Sequence, residues 1–92
     1  MKSIISNDRK CIVCGRTENL HRHHVFYGRA NRQLSEKHGC WVYLCAYHHN
    51  MSNHGVHFDK ELDLKLKQMC QAVWEQNGTR EQFRGIFGKS YL

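Results

Sequence analysis

The chain has 92 residues, enough for one small domain and too few for a multi-domain enzyme or a large barrel. Its 40% hydrophobic and 24% charged residues are a globular composition, not that of a disordered chain. The net charge is +6 and unevenly spread: residues 1–57 carry eight basic and three acidic side chains, residues 58–92 six and five. A polyanion would meet the first half, although a solvated basic surface with no partner has the same composition. No apolar run approaches the roughly 18–20 residues that span a bilayer, so no membrane partner is expected. The opening Met1-Lys2-Ser3-Ile4-Ile5-Ser6-Asn7 lacks the apolar centre of a secretory signal, and the expected location is the cytoplasm.

Residues 7–20 are turn-rich around Cys11-Ile12-Val13-Cys14-Gly15. Leu20 to Tyr27 mixes β-branched and aromatic residues with histidines and reads as a strand. Between Gly28 and Gly39, Ala30 to Lys37 is a short basic helix or a loop. Trp41 to Tyr47, an apolar and aromatic run, is the clearest strand. A short helix is expected over His48–Asn53, interrupted by Gly55. Leu62, Leu66, Met69, Val73 and Trp74 fall at helical spacing, with Asp59 as N-cap and Gly78 as the stop. Thr79-Arg80-Glu81-Gln82 has the form of a capping box and opens a last helix to about Phe87. Both helices are read as core-forming, with a partner-binding face as the other reading. Gly88-Lys89-Ser90 is not a phosphate loop, because the pattern needs glycine at position 83, which is Phe83.

The predicted fold is a small α+β domain: a two-stranded hairpin, a helix crossing it, and one or two C-terminal helices on the outside. It is one domain, with a core over about 11–57 and a helical extension over about 59–92.

Five cysteines, an odd number, in a chain without an export signal argue against a disulfide framework. Cys11 and Cys14 are spaced so that one tight turn aims both thiolates at one cation, and Cys45 and His48 repeat that spacing. Two such pairs match a tetrahedral Cys₃His site for structural Zn²⁺, against the alternative of buried thiols in an ordinary core. A core this small gains from such a staple. Cys40 and Cys70 are left over, and Cys70 lies beside the helical stripe as a small core residue.

Eight histidines lie between His21 and His57, and His48 accounts for one of them. His23 and His24, adjacent on a strand, should face opposite sides of it or splay around a distortion. His49 follows His48 directly, with Asn53, His54 and His57 beyond it. Neutral imidazoles and an amide suit a second metal site, open to solvent and to a substrate phosphate. Scattered surface histidines are the bland alternative.

Cys11-x-x-Cys14, then Leu20-His21-Arg22-His23-His24-Val25, then Leu44-Cys45-x-x-His48-His49 together resemble the zinc-containing HNH nucleases of the His-Me or ββα-metal superfamily. The resemblance covers residues 11–57, about half the chain. The run from His48-His49-Asn50 through Gly55-Val56-His57 is similar to small phage nucleases related to Ref, a RecA-dependent recombination nuclease. The resemblance implies a zinc-stapled ββα-metal fold, DNA as substrate, a bacterial host cell and a RecA filament as a partner. It makes His23 a ligand of a catalytic divalent cation such as Mg²⁺, and His24 the general base. His49 becomes the second ligand and Asn53 the third, with His54 or His57 as substitutes and His21 as the residue next in line behind His24.

The family's middle asparagine corresponds to Cys40, a departure that leaves the bracing of the base open; a backbone carbonyl near Gly39–Cys40 is the expected replacement. Arg22, Arg29 and Arg32 flank this set and either grip adjacent phosphates or stand solvated. The expected function is a metal-dependent endonuclease of phage or bacterial origin that hydrolyses phosphodiester bonds in DNA. The competing classes are a non-catalytic zinc-stabilised nucleic-acid-binding module and a RecA-docking adaptor, neither of which has a use for His23, His24, His49 and Asn53 at ligand spacing.

Overall fold

In the computed structural model, which describes residues 1–49 and 55–92, two short strands form an antiparallel sheet. β1 spans Leu20–His24 and β2 spans Trp41–Cys45, paired from Leu20 opposite Cys45 to His24 opposite Trp41. A ten-residue helix, α1 (Arg29–His38), joins them in place of the tight turn of a simple hairpin. Both strands are shorter than the sequence predicts. Past His24 the chain sends Val25 and Phe26 into the core, each fully buried, while Val25 N still donates to Cys40 O at 2.9 Å. Past Cys45, Ala46 opens a short helix, α2 (Ala46–His49), which packs on both strands. The predicted helix to Asn53 therefore begins two residues earlier, and Asn53 and His54 lie outside the described residues.

Ser35 anchors α1 from a fully buried position. Its hydroxyl donates to Phe26 O at 2.6 Å and accepts from Phe26 N at 3.1 Å, which satisfies a backbone unit that has left the sheet ladder. α1 ends at Gly39, whose φ of +71° favours glycine. A Cβ there would also stand 2.4 Å from Lys2 O, so the N-terminal segment can pass close by. That segment covers β2: Ser3 Oγ donates to Trp41 O at 2.6 Å, Ile4 N to Gly39 O at 2.9 Å, and farther along Ile12 N to Tyr43 O at 2.9 Å. These bonds occupy an edge that would otherwise expose unpaired backbone groups.

The two remaining helices follow the predicted caps. In α3 (Lys60–Trp74) the Asp59 carboxylate accepts from Leu62 N at 3.1 Å. In α4 (Arg80–Phe87) Thr79 and Gln82 complete the capping box. The predicted stop at Gly78 is corrected: α3 ends at Glu75 in right-handed geometry. Gly78 instead tucks against the Trp74 ring, where a Cβ would come within 2.6 Å. α4 packs on the outside through one buried face, as expected, with Arg80, Glu81, Gln82, Arg84 and Gly85 exposed. Phe83 and Phe87 are buried and pack against Phe26, the first edge-on and the second tilted, with centroids 5.2 and 4.6 Å away. One apolar cluster runs from Cys11 through Val42, Leu44, Leu66 and Cys70 to Phe87, so the C-terminal helices share their core with the strands. Cys70 is fully buried, as its place beside the helical stripe predicts.

Candidate functional site

The Cys11–Cys14 turn is closed by Gly15 N donating to Cys11 O and Cys11 N donating to Arg16 O, both at 2.8 Å. Across from it, Cys45 ends β2 and His48 lies in α2. The strand-to-helix junction thus aims both side chains at the turn. The four ligand atoms all lie within 4.8 Å of one another. Cys14 Sγ is 3.7 Å from Cys45 Sγ, and His48 Nδ1 is 3.4 Å from Cys45 Sγ and 3.8 Å from Cys11 Sγ. Tetrahedral bonds of about 2.3 Å to sulfur and 2.0–2.1 Å to nitrogen place two sulfurs about 3.8 Å apart and sulfur about 3.5 Å from nitrogen. The spacings fit, and the cluster can hold one metal ion in the manner of structural zinc. Burial raises the Cys11 thiol, but the backbone N–H groups of Cys45, Cys14 and Val13 outweigh it and lower the pKa, which favours the thiolate that binds metal.

A second group assembles on the other side of α2. His23, His49 and His57 bring their ring nitrogens within 4.8 Å of one another, with His49 Nε2 and His57 Nε2 3.3 Å apart. Two imidazoles on one cation at about 2.0–2.1 Å, at a tetrahedral angle, would be separated by about 3.4 Å. His57 arrives here because the chain returns onto α2: Val56 N donates to His48 O at 2.7 Å. His21, on the same face of β1 as His23, has its Nδ1 2.8 Å from Nδ1 of His49. When His49 Nδ1 donates that bond, its Nε2 keeps the lone pair a cation needs.

His23 is 3% exposed, and its Nε2 is buried with no hydrogen-bond partner among the described residues. Such an atom is costly unless something completes it, and a cation could do so. Burial, then the rings of His49 and His57, push the His23 pKa down to about 3. Burial, then His57 and His21, push His49 to about 4. Both rings are neutral near pH 7, the form that ligates metal.

His24 faces the opposite way. Its Nε2 lies 2.7 Å from Oε2 of Glu36 on α1, and Glu36 also pairs with Arg22. The contact with His24, aided by Arg22, lowers the Glu36 pKa even though partial burial opposes it. The expected backbone brace is corrected here. Gly39 O accepts from Ile4 N and Cys40 O from Val25 N, while the His24 ring is held by Glu36. Arg22 is likewise engaged, over the Trp41 ring at 3.8 Å as well as with Glu36.

A cavity of about 510 Å³ joins these parts. It is lined by Arg22, His23, His24, Tyr27, Gly28, Arg29, Arg32, His49 and His57. Arg29 and Arg32 are exposed on its rim. The structure thus gathers His23, His24 and His49 with Arg22, Arg29 and Arg32 in one place and promotes His57 from substitute to full member of the cluster. Sequence reasoning missed Glu36 and Tyr27. Neither carries a local signal, since Glu36 resembles any solvated helix charge.

Compared with known proteins, the chain matches no family model, no curated protein and no solved structure. No helix of the described residues is long and apolar enough to cross a membrane.

Proposed function

We propose that the protein is a metal-dependent DNA endonuclease, a zinc-stapled ββα-metal domain of the HNH kind that hydrolyses phosphodiester bonds. The observation that carries this reading is the buried Nε2 of His23, which has no hydrogen-bond partner among the described residues. It converges with His49 and His57 in a cavity that His24, Arg29 and Arg32 also line. A nucleic-acid-binding module would need the positive rim but not three converging imidazoles, one of them buried.

Each residue then has a task. Cys11, Cys14, Cys45 and His48 hold Zn²⁺ and fix the junction from β2 to α2. His23, His49 and His57, with Asn53 as a further candidate, hold a divalent cation, Mg²⁺ or a transition metal. That ion supplies Lewis acidity and charge neutralisation at the scissile phosphate. His24 takes a proton from the water that attacks phosphorus in line, as the bond to the leaving 3′ oxygen breaks. Arg29 and Arg32 grip neighbouring phosphates, while Arg22 is committed to Glu36.

The test is a nicking assay on supercoiled plasmid with Mg²⁺, Mn²⁺ or Ni²⁺, run with wild type and His24→Ala on bare and on RecA-coated DNA. Nicking by wild type that His24→Ala loses is the expected result. Absence of nicking under every condition, with DNA still bound, would leave the binding-module reading in its place.

A further inference from the structure

We infer that Glu36 is the positioning residue of His24, holding its ring in the tautomer that leaves Nδ1 free to accept a proton; this rests on the nuclease reading of His24. A carboxylate only accepts hydrogen bonds, so the 2.7 Å contact requires the proton on Nε2 of a neutral His24. The lone pair is then on Nδ1. Glu36 is itself fixed from the other side. Arg22 and His24 share one face of β1 at i and i+2, and Arg22 both pairs with Glu36 and stacks on Trp41, whose backbone stands opposite His24. The order Trp41, Arg22, Glu36, His24 is a chain of contacts that ends at the ring.

Stability does not explain this arrangement. The Arg22 and Glu36 side chains are 41% and 38% exposed, and ion pairs so open to water contribute little to folding. Orientation of a base is a different matter, because a ring free to flip presents the wrong nitrogen for part of the time. Glu36 reaches His24 from α1, twelve residues along the chain, and so does the bracing that the buried Cys40 thiol, turned to His38 O, does not provide.

The experiment pairs kinetics with a direct view of the ring. Wild type, Glu36→Gln, Glu36→Ala, His24→Ala and the Glu36→Ala/His24→Ala double variant are compared in thermal melting, DNA affinity and single-turnover nicking. ¹⁵N–¹H spectra of the imidazoles, assigned with His24→Ala, report the tautomer near pH 7. Glu36→Ala should cut roughly 10- to 100-fold more slowly, a part of the 10²–10⁴ that a general base contributes, with melting and DNA affinity unchanged. It should cost nothing further once His24 is gone, and it should shift the His24 ring from a single Nε2–H form toward a mixture. Glu36→Gln, which keeps an acceptor oxygen, should be the milder variant. Wild-type cleavage by Glu36→Ala, a loss that adds in full to that of His24→Ala, or an unchanged tautomer would overturn the inference. If wild type nicks no DNA at all, the nuclease reading fails on its own, and the ring spectra still decide whether Glu36 sets the tautomer.

Discussion

His23 and His24 are neighbours in sequence and face opposite sides of β1: His23 is buried against His49 and His57, and His24 turns to Glu36. The two-residue period of a strand imposes this split. It places the ring proposed to bind metal and the ring proposed to accept a proton on adjacent residues without letting them share one environment. Both line the same cavity.

That separation predicts what His24→Ala does. The side chain ligates neither metal, so the variant should melt with wild type and bind the same metal content. Its nicking rate should fall by roughly 10²–10⁴. Melting as early as a zinc-ligand variant would make His24 structural. Normal melting with normal cutting would move attention to His21.

Removing a ligand of the other site should act through the fold. Cys11→Ala or Cys45→Ala would leave three ligands for an ion that would join the N-terminal turn to the β2–α2 junction, and metal binding in structural sites of this kind is coupled to folding. These variants should be insoluble or lack a cooperative melting transition, and elemental analysis should show less than one zinc per chain. A strong chelator should lower the melting temperature of wild type in the same direction.

The third ligand of the second site can be assigned by thermal shift. Mn²⁺ or Ni²⁺ should raise the melting temperature of wild type, because ligands that bind only the folded state stabilise it. His57→Ala should fold normally, as its ring is exposed, and should need roughly tenfold or more cation for the same shift. Asn53→Ala, run beside it, ranks the two candidates: an unchanged response in His57→Ala and a lost one in Asn53→Ala would give the place to Asn53.

The depressed histidines make stability depend on pH, with a definite sign. His23 and His49 have folded pKa values of about 3 and about 4, below the ordinary 6.5, so between these limits the unfolded chain binds more protons. Their contribution is therefore present above pH 6.5 and is lost as pH falls toward about 3. With no cation added for the second site, melting temperature should drop steadily through this window. His23→Leu should show a shallower slope than wild type, and an equal slope would mean that His23 is not held neutral by the fold.

Ser35→Ala tests the clamp that sets α1 against the strands. The substitution leaves Phe26 N and O without their side-chain partner in a fully buried place, at a cost of about 1–3 kcal/mol. Denaturant melts should show that loss with an unchanged slope. Because α1 carries Glu36, nicking should weaken as well.

Much of the fold was legible because its signals are local. Asp59, Thr79 and Gln82 cap helices with partners three residues away, and the apolar run from Trp41 can be read without knowing its neighbour. The Cys11–Cys14 and Cys45–His48 spacings are likewise properties of single turns, and the geometry brings the two pairs together. The placing of His23 and His24 on opposite faces followed from strand periodicity alone.

What only the tertiary structure decided are the contacts made between elements. Gly78 reads as a helix stop by composition, yet it answers to the Trp74 ring packed on it. Phe83 and Phe87 mark the core face of a short helix, but that Phe26, freed from β1, is their partner is decided by the packing. Glu36 and His57 joined the site by returns of the chain: the fold of α1 back over β1, and the hydrogen bond from Val56 to His48. Residue spacing encodes which groups share one turn or one strand face. Which distant carboxylate meets a given ring depends on how the helices pack, and that is set by the shape of the whole core.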